Sequence, residues 1–190
     1  MGFLDVLRGK RTLRQPTEDR LFAMTTAVIT MTEELGMKPA GRAAIVFQPL
    51  GTADFDSIVT EMTELLHATG DETGTTITTA DDQFGYRFMV LADPDFEDLV
   101  VGLNAVNGAI RDGGYADRVL CALFPFTDAQ GRAVHWIYNV KRATYYPFVP
   151  APGDQQRDNA RELQLKAQLE KELPIEQDLA RWFPLWDVPL

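Results

Sequence analysis

Residues 118–141 read RVLCALFPFTDAQGRAVHWIYNVK. The first nine, Arg118–Phe126, are apolar almost throughout, the composition of a central strand covered on both faces. Asp128–Gly131 supplies the residues of a short connection. From Ala133 to Lys141 the side chains sort into two sets: Trp136, Tyr138 and Val140 on one face, His135, Ile137, Asn139 and Lys141 on the other. Two strands joined by so short a loop pair antiparallel. The hairpin predicts the fold class: α+β, an antiparallel β-sheet built from hairpins, with helices packed mainly on one face.

Upstream the same logic repeats. Thr75–Thr79 and Tyr86–Leu91 form a second hairpin around Asp81-Asp82 and Gly85. Asp93-Pro94 reads as a helix start, with Asp at the N-cap and Pro at the first helical position. The apolar stripe Phe96, Leu99, Val100, Leu103, Val106, Ile110 follows, and Gly113-Gly114 ends it. An earlier helix carries Phe55, Ile58, Val59, Met62, Leu65 and Leu66 on one face, with Thr52 as N-cap and Gly70 as its stop. Ala23–Met31, rich in Thr, Val and Ile, and Arg42–Gln48 read as strands flanking a turn region at Gly36–Gly41. For Arg20–Leu35 a helix is the alternative, because Glu33-Glu34-Leu35 has helix character. These elements group into three strand-strand-helix units beginning near residues 23, 75 and 118.

Gln156–Leu173 reads as a C-terminal helix whose pairs Glu162–Lys166 and Lys166–Glu170 mark a solvated face. Pro174 stops it, and RWFPLWDVPL, residues 181–190, is an irregular aromatic tail. The chain divides into a basic amphipathic segment and linker at 1–17, an α+β core domain at 18–152, and the C-terminal helix with its tail at 153–190.

With 190 residues, 45% hydrophobic and 24% charged, the chain can bury a sizeable core in one domain. Its net charge of −10 repels phosphate backbones and argues against nucleic acid as a partner. Positive charge concentrates at the start, where Arg8, Lys10, Arg11 and Arg14 face a single acid, Asp5. Phe3, Leu4, Val6 and Leu7 share one face of a short helix there, followed by Arg8, Lys10 and Arg11. That is the pattern of an interfacial anchor on an anionic membrane. The competing reading is a short helix docked on its own domain, or a frayed end. Cys121 is the sole cysteine and reads as a small buried hydrophobe, which suits a reducing cytoplasm. No apolar run approaches the roughly 18–20 residues needed to span a bilayer. The expectation is a cytoplasmic protein, with a peripheral position at the inner membrane surface if the anchor operates.

Residues of catalytic type are sparse and scattered. His67 and His135 are the two histidines, and neither has a His or Cys neighbour at metal-ligand spacing. No nucleophile elbow, phosphate-binding loop or dinucleotide glycine pattern occurs. Asp93, Asp95, Glu97 and Asp98 sit where acids complement a helix dipole. No catalytic residue, cofactor site or metal site is assigned; an enzyme with an unrecognised site, built on converging carboxylates or His135 in a pocket, stays as an alternative to a binding module. Two interaction surfaces stand out instead. One follows the hairpin, where Tyr145, Tyr146 and Phe148 flank the basic pair Lys141 and Arg142. The other is the tail, with Trp182 and Trp186. Each set either anchors a partner through aromatic and charged contacts or packs into its own domain.

Several blocks together resemble the PspA-associated protein PspAB family. They are LFAMTTAVITM (21–31), GYRFMVLADPDFEDLV (85–100), RVLCALF (118–124), WIYNVKRATYYPFVP (136–150) and ELPIEQDLARWFPLWDVP (172–189). The resemblance implies a place in the phage-shock response to envelope stress. It implies a PspA-like helical protein or an HtpX-like membrane protease as partner, and an adaptor or regulator rather than an enzyme.

Overall fold

The computed structural model describes residues 20–186, 188 and 189, with the backbone alone at 69–73. The anchor residues expected above, Phe3, Leu4, Leu7, Arg8, Lys10 and Arg11, lie outside the described residues.

The order of elements is α1 (Ala23–Glu33), β1 (Lys38–Pro39), β2 (Arg42–Phe47), α2 (Ala53–Thr73), β3 (Thr76–Asp81), β4 (Arg87–Ala92) and α3 (Phe96–Ile110). Then come β5 (Val119–Thr127), β6 (Ala133–Asn139), β7 (Thr144–Phe148), the two-residue strands β8 (Pro150–Ala151) and β9 (Gln156–Arg157), and α4 (Asn159–Leu169). Seven strands form one sheet in the order β3-β4-β2-β5-β6-β7, with β1 lying beside β5. Strand neighbours pair antiparallel throughout.

The apolar run that decides the fold becomes β5, in the middle of the sheet. Leu123 pairs with Ala44 of β2 on one side and Ile137 of β6 on the other. Cys121 through Phe126 are all buried, as a run without alternation requires.

Pairing register sorts the sheet into two faces. Ile45, Met89, Leu91, Ala122, Phe124, Trp136, Tyr138 and Tyr145 share one. Helices meet that face: Phe55 of α2 packs on Phe47, and Phe96 of α3 lies between Phe124 and Phe126. The opposite face carries Val46, Leu123, Ile137, Tyr146 and Phe148. The C-terminal segment packs on it at the β7 end, through Trp182 on Tyr146 and Trp186 on Phe148.

Four expectations are corrected. Ala23–Met31 is helical, so the first of the three units opens with a helix. Met24, Ala27 and Met31 are its buried positions, three and seven residues apart, and that period outweighs the β-branched composition. The hydroxyls of Thr25 and Thr32 donate back to the carbonyls of Phe22 and Val28, so threonine is accommodated there without a strand. Second, α2 passes Gly70 and runs to Thr73; Gly74, at φ +91°, provides the left-handed residue that follows it. Third, α3 is capped by Asp95, whose side chain accepts from the Glu97 amide. Asp93 is buried and accepts instead from the Asp95 amide and the Thr75 hydroxyl. Fourth, α4 is shorter than Gln156–Leu173, and Glu162 is buried, while Lys166–Glu170 does form at 3.5 Å.

Helix α3 lies close against the sheet at Gly102, where an added Cβ would sit 2.3 Å from the Leu91 side chain. Leu91 is fully buried and has little room to yield. Gly102→Ala is therefore expected to destabilise the fold by about 1–3 kcal/mol in urea unfolding, against the gain alanine brings to an exposed helix position.

Candidate functional site

The basic-aromatic stretch folds as the β6–β7 hairpin. Its turn spans Val140–Ala143, with Ala143 at φ +52°, an unusual conformation for a residue with a Cβ. The Asn139 side chain supports the turn by accepting from the Arg142 amide at 3.2 Å.

Past the turn the rings go inward. Tyr145, Tyr146 and Phe148 are buried. Tyr145 packs tilted against Tyr138, ring centroids 4.7 Å apart, and its hydroxyl donates to the Leu21 carbonyl at 2.6 Å. Tyr146 points to the other face, where its hydroxyl donates to the Phe183 carbonyl at 3.0 Å. Burial pushes both phenols above their ordinary range. Phe148 meets Trp186 edge-on at 4.8 Å, and the Arg157 guanidinium lies 5.3 Å from its centroid.

Trp182 is buried as well; its indole N–H donates to the Glu176 carbonyl at 3.0 Å. Trp186 is half-buried. Within this fold Tyr145, Tyr146, Phe148 and Trp182 are interior side chains. Lys141 is exposed at the turn, and Arg142 is exposed but engaged with Glu176.

Two buried carboxylates, Glu162 and Glu176, organise this end of the molecule, and the sequence marks neither as buried. Glu162 accepts from the Val149 amide at 2.9 Å and from Arg157, whose guanidinium also donates to the Trp182 carbonyl at 2.8 Å. Burial raises the Glu162 carboxyl, with the Arg157 and Val149 bonds opposing. Glu176 accepts from Arg142, and it also takes bonds from the Asp178 amide and the Thr144 hydroxyl. The Arg142 bond holds its carboxyl below the usual range, with burial opposing.

Beside the turn lies a cavity of about 460 Å³ between α3, the β6 end of the sheet and Leu21. Tyr138 and Val140 form its apolar side. Asn104 and Asn107 line it from α3, and Arg111 from the π-helical turn Arg111–Tyr115 that continues the helix, at spacings of three and four that keep them on one helical face. Lys141 and Asp117 complete the rim. The Asn104 Oδ1 is buried without a hydrogen-bond partner. The helical stripe of α3 could have revealed this polar line, since two amides interrupt a helix that is apolar beyond its acidic first turn.

A second groove, of about 340 Å³, runs along the C-terminal segment and is lined by Leu163, Leu179, Trp182 and Arg157. His135 lies elsewhere, stacked on Phe148, with burial pushing its imidazole down to about 4. Among the described residues no group of three or more His, Cys, Asp or Glu is placed to hold a metal ion. Nor, among them, is any helix long and apolar enough to cross a membrane.

These features define an α+β module whose last strand is sealed by its own C-terminal segment, with exposed apolar and basic side chains left around the seal. The chain belongs to the PspA-associated protein B family, PspAB, whose sequence profile matches residues 1–190, its full length. Membership points to association with PspA in the phage-shock system, and the family description names an association, not a reaction. No curated protein and no solved structure matches the chain.

Two expected outcomes follow from these environments. Cys121 is buried and its thiol is pushed up to about 12 by loss of hydration. Ellman's reagent at pH 8 should leave it unmodified in the folded chain and titrate it in concentrated guanidinium. Glu176 is depressed below its ordinary 4.5, so its ion pair adds stability above that value and loses it as pH falls through the depressed one. The stability difference between the native chain and Glu176→Gln, from urea melts, should be largest at pH 7 and shrink below the usual carboxylate range.

Proposed function

We propose that the chain is a non-catalytic adaptor of the envelope-stress response, binding a PspA-like helical protein through the outer surface of its C-terminal segment and the β6–β7 turn. The observation that carries this reading is the match of the entire chain to a family named for its association with PspA. The surface is argued from exposure. Leu163, Leu179 and Phe183 are 47%, 50% and 61% exposed, and the first two flank the groove floored by Trp182. Exposed large apolar side chains gathered at one groove are the usual mark of an interaction site. An amphipathic helix fits such a groove by setting apolar side chains three and four residues apart into it.

In this reading the sequence-derived contact residues divide into two roles. Lys141, with Arg142 beside it, offers positive charge to an acidic partner surface. Tyr146 stacks beneath Trp182, the floor of the groove, while Tyr145 packs on the opposite face of the sheet and Phe148 with Trp186 beside a separate hollow. Arg142 serves both roles, because its guanidinium also neutralises a buried carboxylate.

A pull-down with full-length chain, against the PspA-like protein and the HtpX-like protease in parallel, tests the proposal. Leu163→Asp/Leu179→Asp should weaken capture of the PspA-like protein at least about tenfold, the scale of losing one interface anchor. Lys141→Glu should cost less. Both variants should melt within a few degrees of the native chain, since the altered side chains are exposed. Unchanged capture by the double variant would remove the groove from the interface, and absence of capture by the native chain would remove the adaptor role.

A further inference from the structure

We propose that the cavity between α3 and the β6 end of the sheet binds a small organic anion that carries a hydrogen-bond donor. The cavity is separate from the groove of the adaptor reading and does not depend on it; Lys141, at the cavity's mouth, also belongs to the turn that the adaptor reading uses.

Its volume, about 460 Å³, falls within the range of pockets that take small molecules, and so does its make-up of apolar walls with a few convergent polar groups. The apolar part is Leu21, Val140 and the face of Tyr138, which suits an aryl or short alkyl body. The polar part comes from one helical line, Asn104, Asn107 and Arg111. Amides on the inner side of a helix weaken it and add nothing to an apolar core. Asn104 Oδ1 carries that cost openly, as a buried acceptor with no donor. Asn104 as a whole is half-buried, so a turn of its amide brings the acceptor to the cavity, where a ligand hydroxyl or N–H would supply the missing bond.

The rim decides the sign of the ligand. Among the described residues that line it, Arg111 and Lys141 stand with one acid, Asp117, on a chain whose net charge is −10. Asp117 is drawn to the Arg118 guanidinium at 3.5 Å, and Arg111 has Asp112 at 3.1 Å. Among the described residues Lys141 enters no ion pair. An exposed, uncommitted ammonium at the mouth of a half-apolar cavity suits one carboxylate.

The test uses the full chain and 4-hydroxyphenylacetate as probe, followed by ligand-observed NMR and calorimetric titration. Phenylacetate lacks the donor and 4-hydroxyphenylacetamide lacks the charge. The native chain should bind the hydroxy acid saturably and each analogue about tenfold more weakly, the scale of one charge-assisted or buried hydrogen bond. Lys141→Gln should remove the advantage of the acid over its amide and leave the amide's own affinity unchanged. Asn104→Leu should remove the advantage of the hydroxyl; if that variant fails to fold, the Lys141→Gln comparison stands alone, because Lys141 is exposed. Absence of saturable binding by the native chain would overturn the proposal, and so would affinities for all three probes unmoved by Lys141→Gln. Loss of PspA-like capture in Asn104→Leu, alongside a native chain that binds no probe, would assign the cavity to a partner's side chain and equally overturn it.

Discussion

The structure depends on a short main-chain pairing at the edge of its sheet. The Tyr145 amide donates to the Pro174 carbonyl and the Glu176 amide donates to the Tyr145 carbonyl, each at 2.8 Å. Those bonds lay residues 174–176 beside β7 and close an edge that would otherwise present free donors and acceptors. They also fix what hangs from the segment. Glu176 is brought to Arg142, its carbonyl receives the Trp182 indole, and the Trp182 carbonyl receives Arg157, which also serves Glu162. A buried carboxylate without such partners would be expensive. With them, the C-terminal segment becomes part of the core, to which Leu165, Leu169, Leu173, Ile175 and Trp182 all belong.

This closure changes where recognition can happen. The rings of the 145–148 stretch face two different sides of the sheet, because successive strand residues point oppositely, and both sides are filled. Tyr145 is engaged with Tyr138 and Leu21, Tyr146 with Trp182 and Phe183, and Phe148 with Trp186. What remains outside is Lys141 at the turn, the apolar side chains along the C-terminal groove, and the cavity beside α3. The adaptor reading proposed above therefore looks to Lys141 and to Leu163, Leu179 and Phe183, which stay exposed.

The sheet was legible wherever one physical signal stood unopposed. The unbroken apolar run gave β5, the alternation at 133–141 gave the two faces of β6, and the long stripe from Phe55 gave α2. The signal failed where two causes compete for the same residues. Thr, Val and Ile favour strands, yet in α1 the spacing of Met24, Ala27 and Met31 prevails. Asp-Pro-Asp offers two caps in succession, and the second caps the helix while the first braces the loop. Glu162 and Lys166 stand four apart as a surface pair would, but Arg157, upstream of the helix, claims the carboxylate. The contacts that bury Tyr145, Tyr146 and Trp182 join residues up to 124 positions apart, and no local pattern encodes them. Asn104 and Asn107 were visible as polar interruptions of α3, but only the fold shows that they face a cavity.

Hydrogen exchange at single-amide resolution addresses the central claim most directly, since the closure makes specific amides behave as core. Amides of Tyr145, Val149 and Glu176 donate to Pro174, Glu162 and Tyr145. They should exchange as slowly as those of β5 and β6, at rates set by global unfolding. Exchange of these three at the rates of exposed loops, with β5 and β6 still protected, would mean that the C-terminal segment is not fixed on the sheet and that the aromatic stretch is open to a partner after all.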